Sequence, residues 1–357
     1  MRRLILITIL AALMVCVFSG CGFWMDGERL SVTPHMEQSQ LDVVEVTEVS
    51  NYMQLRKSLI ELIESGASGG IMSVSSFNKV TASFYVDTAI NHVLGNTAIG
   101  AYAVDSITYE VGTNRGASVI AFKIAYEHTI SEIQRMRYVP GMDEAVEVIA
   151  GALDNCDHSV SVRVQKYEEI DFVQFVQDYA NNHPDTVMEV PNITASVYPD
   201  NGADRIIEVS FTYQTSRETL RRMQEQVAPV FTSAELYVTE TTQVRDIYAR
   251  LYAFLMERNA YKLESSITPA YSLLHHGVGD SRAFANVYAA MCRQVDLYCQ
   301  VVSGTRDGEP WCWNVIRYRG KYYHVDLHQC SQTGGFRMRE HSEMEGYVWD
   351  YSAFIED

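Results

Sequence analysis

Four side chains near the C-terminus have the types that acyl chemistry uses, Ser281, His324, Asp326 and His328, and Trp311 lies close to three of them in sequence. The stretch "EPWCWNVIRYRGKYYHVDL", residues 309–327, reads as two strands around an Arg319-Gly320 turn. Pairing Tyr318 with Lys321 and continuing outward sets Trp313 opposite Asp326 and Trp311 opposite His328. Side chains alternate along a strand. Trp311, Trp313, His324, Asp326 and His328 are therefore expected on one sheet face. Ser281 stands at the start of a helix in "GDSRAFA". Its hydroxyl is a useful nucleophile only if a base takes its proton. A Ser281–His328–Asp326 arrangement would supply one, with His324 as second choice of base. Capping explains the same serine without chemistry, since Asp280 and Ser281 are both good N-caps. His324 and His328 also suit half-buried strand or edge positions with ordinary hydrogen bonds.

The elements that must position these residues are legible from periodicity. Val244, Ile247, Tyr248, Leu251, Tyr252 and Leu255 recur at helical spacing, which predicts a helix over 241–258. A glycine-bearing loop follows in "SSITPAYSLLHHGVGD". A second helix then carries Phe284, Val287, Tyr288, Met291 and Val295 on one face, and "CQVVSG" is a strand leading into the hairpin. The last domain, 231–357, thus reads as α+β, helices on an antiparallel sheet. Upstream there is an internal repeat: residues 107–136 parallel residues 193–223 as strand, turn, strand, short helix. Asn114 and Asn201-Gly202 suit hairpin turns, and Ser131 and Ser216 suit N-caps. Each repeat is preceded by an alternating strand and an amphipathic helix. Phe172, Phe175, Val176 and Tyr179 form the apolar stripe of the second helix. Two tandem β-α-β-β-α units are expected, at 51–150 and 151–230. Neither holds a catalytic constellation, which suits a spacer or a binding scaffold.

The segments "AYSLLHHGVGDSRAFANVYAAMCRQVDLYCQVVSG" and "WNVIRYRGKYYHVDL" together resemble the transglutaminase-like domain of bacterial secreted proteins, with a papain-like cysteine-histidine-aspartate core. The resemblance covers about residues 240–330, and paired units ahead of it are usual in such proteins. It is carried by a glycine loop, the aromatic-alanine pair Phe284-Ala285, a valine-glycine strand, the pair Trp313-Asn314, and a Tyr-x-Val-Asp strand ending at Asp326. It implies that Ser281 stands where the family has its nucleophilic cysteine. It implies that Trp311 stands in place of the general-base histidine, and that Asp326 is the orienting aspartate. One member of three is kept. A thiol at a helix N-terminus is readily acidified, whereas serine needs a base, and an indole N–H only donates. The domain is therefore expected to be catalytically degenerate, binding a peptide, protein or cell-envelope component. The alternative is a hydrolase or acyltransferase using Ser281 with His328 or His324. Asp326, if buried, needs a donor, which the indole of Trp311 or Trp313, a hydroxyl or a nearby imidazole would supply.

The N-terminus has the form of a secretory signal: Arg2 and Arg3, an apolar run from Leu4 to Phe18, then small residues and Cys21. "VFSGC" resembles a bacterial lipobox, which implies acylation of Cys21 after removal of residues 1–20 and a membrane-anchored, extracytoplasmic protein. Residues 22–50 read as a polar tether. The formal charge of −17 argues against nucleic acid as a partner, while 47% hydrophobic residues supply a packed core. Beyond Cys21 the cysteines are Cys156, Cys292, Cys299, Cys312 and Cys330, an odd number with no CxxC spacing. That pattern disfavours a zinc site. It leaves buried thiols or a bridge among the four C-terminal ones open. No acidic loop has calcium-ligand spacing, so no cofactor or metal is expected.

Overall fold

The structure is a computed structural model, and it describes residues 46–350 apart from 75–76, 78, 115–116, 241–242 and 263–268. The signal segment, Cys21 and the tether up to residue 45 lie outside the described residues.

Two units of the same topology come first. The first runs β1 (Val46–Glu48), α1 (Tyr52–Ser65), β2 (Gly69–Ser73), α2 (Lys79–Asn96), α3 (Ala98–Ala103), β3 (Val104–Asn114), β4 (Ala117–Tyr126) and α4 (Ile130–Arg135). The second runs β5 (Arg137–Val139), α5 (Met142–Asp154), β6 (Ser159–Val164), α6 (Phe172–Asn182), β7 (Asn192–Tyr198), β8 (Arg205–Thr212) and α7 (Arg217–Val238). Their sheets have the orders β1-β2-β4-β3 and β5-β6-β8-β7. In each, the first pair is parallel and the others are antiparallel. The tandem β-α-β-β-α units are present, and each has one further strand and helix at its front. Part of the expected tether is thus strand β1. The second unit starts near Arg137 rather than at 151, because β5 pairs with β6 and Ala145, Ile149 and Leu153 of α5 share its core. Three-residue strands leave too little alternation to be read from sequence.

Caps set the helix entries. Ser216 caps α7 as expected, accepting from Thr219 N. At α4 the cap is Thr129 and not Ser131, because Thr129 and Glu132 bond each other's backbone N–H in a capping box. The two units meet through polar contacts. Tyr102 Oη lies 3.0 Å from Ser161 Oγ, and His128 Nε2 lies 3.1 Å from Glu208. Arg163 donates to Glu64 of the first unit and to Asp204 of the second.

The third part holds the expected helices and hairpin. Its helices α8 (Val244–Arg258) and α10 (Ser281–Gln294) flank a short helical turn, α9 (Pro269–Tyr271). A small parallel pair, β9 (Ala260–Tyr261) and β10 (Val278–Gly279), leads into α10. The main sheet is antiparallel in the order β13-β12-β11-β14, with β11 (Cys299–Arg306), β12 (Glu309–Tyr318), β13 (Lys321–Val325) and β14 (Tyr347–Trp349). Tyr248, Leu251 and Leu255 of α8 pack with Phe284, Val287 and Met291 of α10 over Ile316 and Val325. Gly304 is required where β14 pairs with β11, since a Cβ there would lie 2.2 Å from Val348 O.

The hairpin turns at Arg319 and Gly320, both at positive φ (+53° and +75°), and Tyr318 pairs with Lys321 as expected. The ladder stops at Asn314–Val325. Asp326 instead caps the helix α11 (Leu327–Gln332), its Oδ1 accepting from Gln329 N at 2.9 Å. The expected pairs Trp313–Asp326 and Trp311–His328 do not form, and His328 is a helix residue. Aspartate is a preferred N-cap, and a bond to its own downstream backbone ends the strand.

Candidate functional site

Asp280 caps α10, its Oδ1 accepting from Ala283 N at 2.9 Å. Ser281 is the first helical residue and is not the cap. Its Oγ instead accepts the backbone N–H of Cys312, on the neighbouring β12, at 3.2 Å. Among the described residues, no hydrogen bond joins Ser281 Oγ to an imidazole.

Asp326 is 4% exposed and meets four donors. Its Oδ2 accepts from Trp311 Nε1 at 2.9 Å, Tyr347 Oη at 2.6 Å and Arg306 Nη1 at 3.3 Å. Its Oδ1 carries the helix cap. A buried carboxylate is tolerable only with such partners. Burial, and then Asp326 itself, push the Tyr347 hydroxyl well above the ordinary tyrosine range, so it remains a donor. Arg306 also lies over the Trp311 ring, 5.3 Å from its centroid. Neither Arg306 nor Tyr347 stood out in the sequence, for they come from β11 and β14, outside the motif segments. Tyr347 sits on a three-residue strand with no pattern to announce it, and Arg306 lies two residues past the "CQVVSG" segment read as strand.

The two histidines part company. His324 lies in the aromatic core, 4.9 Å from Trp349 and 5.7 Å from His341 between ring centroids. Its Nδ1 accepts the indole N–H of the buried Trp313 at 3.0 Å. Burial, and then His341, lower its pKa to about 4, so it is neutral at ordinary pH. His328 lies against Tyr261 (centroids 4.3 Å) and Trp311 (5.6 Å), with Nε2 3.2 Å from the Gln332 amide. Its pKa is lowered, mainly by burial.

Ser281, Phe284, Asn314, Asp326 and His328 are among the residues that wall one small cavity. Its volume of about 10 Å³ is room for roughly one water. Asn314 is fully buried and gives its Nδ2 to Ala285 O at 2.9 Å, while its Oδ1 has no hydrogen-bond partner among the described residues. The structure therefore brings Ser281, Asp326 and His328 to one place, keeps Trp311 on Asp326, and turns His324 away into the core. Among the described residues, the serine hydroxyl has a donor against it and no proton acceptor in hydrogen-bond contact.

A family model of the transglutaminase-like superfamily matches residues 232–339, from the end of α7 past α11. This segment is a transglutaminase-like domain, and the chain as a whole is mixed α+β. Similar solved structures include a TGase, at 11% identity and a TM-score of 0.28, over 63% of this chain and 68% of that one. A candidate cysteine protease from Cytophaga hutchinsonii matches at 11% identity and a TM-score of 0.26, over 44% of this chain and 70% of that one. A candidate protease from Parabacteroides distasonis matches at 7% identity and a TM-score of 0.24, over 62% of this chain and 36% of that one. No curated protein matches the chain.

Proposed function

We propose that this is an extracytoplasmic protein, lipid-anchored at Cys21, whose transglutaminase-like domain has lost acyl chemistry and binds a peptide, protein or cell-envelope component. The observation that carries the reading is the Trp311 N–H bond to Asp326. A triad imidazole donates one ring N–H to the carboxylate and accepts the nucleophile's proton on its other nitrogen. An indole reproduces the first bond and has no second nitrogen. Ser281 at the nucleophile position then has no base in hydrogen-bond contact among the described residues, and losing triad members costs on the order of 10³–10⁶-fold in rate. The cavity that Ser281 lines admits only a water, so a ligand rests on the half-buried rings of Tyr261 and His328, which also line it, and of Trp311, which packs against both. The anchor is supported by the signal-like N-terminus ending in "VFSGC".

The test is amine transfer and amide hydrolysis by purified protein, with Ser281→Ala as control. Both proteins are expected at background. Turnover by the wild type that disappears in Ser281→Ala overturns the proposal.

A further inference from the structure

The five cysteines among the described residues are all free thiols. Three have separate surroundings. Cys156 Sγ takes Gln224 Nε2 at 3.5 Å, and Cys312 Sγ lies 3.6 Å from Ser303 Oγ. Cys330 Sγ accepts Arg337 N at 3.3 Å and reaches its carbonyl at 3.5 Å. Cys292 and Cys299 differ from these. Cys292 lies in the last turn of α10, and Cys299 is the first residue of β11. The chain reverses between them, with Asp296 at φ +58° and Leu297 N bonded to Cys292 O at 2.9 Å. Cys292 and Cys299 flank this reversal, and Cys292 belongs to the core between α8, α10 and the sheet, against which Cys299 packs. Cys292 is fully buried, and Cys299 is half-buried.

We propose that Cys292 and Cys299 are a redox modification site, closing to a disulfide that ties the end of α10 to the start of β11. The chemistry is thiol–disulfide exchange with an external disulfide as oxidant. The more accessible Cys299, as thiolate, attacks one sulfur of that disulfide, forms a mixed disulfide and releases one thiolate. Cys292 then attacks Cys299 Sγ and expels the second thiolate. Two protein thiols become one S–S bond, and the oxidant leaves as two thiols carrying the two protons. Cys292 is the resolving partner because burial, and then Cys299, push its thiol well above the ordinary range, so it is a poor first nucleophile. The other end of α10 presents Ser281, and β11 pairs with β12, which carries Trp311. The bond would therefore fix the helix–sheet wedge on which the Ser281–Cys312 contact depends.

Trypsin makes the test direct, because Arg293 lies between the two cysteines. The full chain is equilibrated with oxidised glutathione, alkylated under denaturing conditions, digested and mapped by mass spectrometry. The expected product is peptide 283–293 linked to peptide 294–306, separating on reduction, with Cys156, Cys312 and Cys330 alkylated. The oxidised protein should melt ~5 °C above its reduced form, and Cys299→Ser should abolish that gap. Alkylation of both cysteines after oxidation, a bond from either to another cysteine, or glutathione retained on Cys299 overturns the proposal. If Cys299→Ser does not fold, wild-type peptide mapping decides alone.

Discussion

At position 311 an indole N–H reaches Asp326 Oδ2 at 2.9 Å, and at position 313 a second indole reaches His324 Nδ1 at 3.0 Å. Asp326 and His324, two of the polar groups that the sequence singled out, are each paired with a tryptophan whose indole can only give a proton. The sequence offered the indole of Trp311 or Trp313, a hydroxyl or an imidazole as donor to Asp326, and the Trp311 indole and the Tyr347 hydroxyl are both used. It left His324 and His328 both open as bases, because a strand face on paper does not say where the strand stops. His324 yields a pH prediction. Its folded-state pKa, about 4, lies below the ordinary 6.5. Between those values the unfolded chain binds more protons, so stability is full above pH ~6.5 and falls as pH drops towards 4. The expected loss is about 3 kcal/mol. Urea melts at pH 7 and pH 4.5 should show it, with a smaller pH difference in His324→Gln. An equal slope in both proteins would rule out the assignment.

At the scale of the element, two helix starts decide the site, and both begin with an aspartate. Asp280 holds α10 and Asp326 holds α11. The hairpin register was legible because Arg319-Gly320 fixes the turn. The end of β13 was not, because alternation continues through Asp326 on paper while the cap bond redirects the backbone. Sequence also left Asp280 and Ser281 equal as caps. The structure gives the Ala283 N–H to Asp280 and leaves Ser281 with Cys312 N. Asp280→Ala should cost ~1 kcal/mol, or somewhat more, for the lost cap. Ser281→Ala should cost ~1–3 kcal/mol, because it leaves the Cys312 N–H of the buried strand without its acceptor. Chemical denaturation of the two variants checks both costs, and an Asp280→Ala variant as stable as the wild type would contradict the cap at Asp280.

Across the whole molecule, the second unit and the transglutaminase-like domain share α7. Leu220 and Val227 pack below, while Phe231, Ala234 and Val238 enter the core of α8 and α10. A cut at residue 230, where the expected second unit ends, would divide this helix. The two parts also touch through α10. Asn286 Nδ2 reaches Asn181 Oδ1 at 3.3 Å, and Arg293 bonds Asn182 O and lies 3.8 Å from Asp185. These contacts pair residues more than a hundred positions apart, beyond the reach of any periodicity argument. The formal charge is −17 overall, and the proposed cleavage before Cys21 would make it slightly more negative by removing Arg2 and Arg3. The proposed anchor is checked by cell fractionation with a labelled fatty acid. Wild-type protein should carry label in the membrane fraction, and Cys21→Ala should carry none. Equal labelling of both would refute acylation at that cysteine.

The central claim is that Ser281 lacks a group to take its proton. The most direct measurement is the intact mass of the protein after exposure to an activated acyl ester, beside that of Ser281→Ala and the double variant Ser281→Cys with Trp311→His. The account predicts no acyl adduct at position 281 in the wild type and an adduct in the double variant, whose thiol and imidazole restore the missing chemistry. An adduct on wild-type Ser281 that is absent from Ser281→Ala would contradict it.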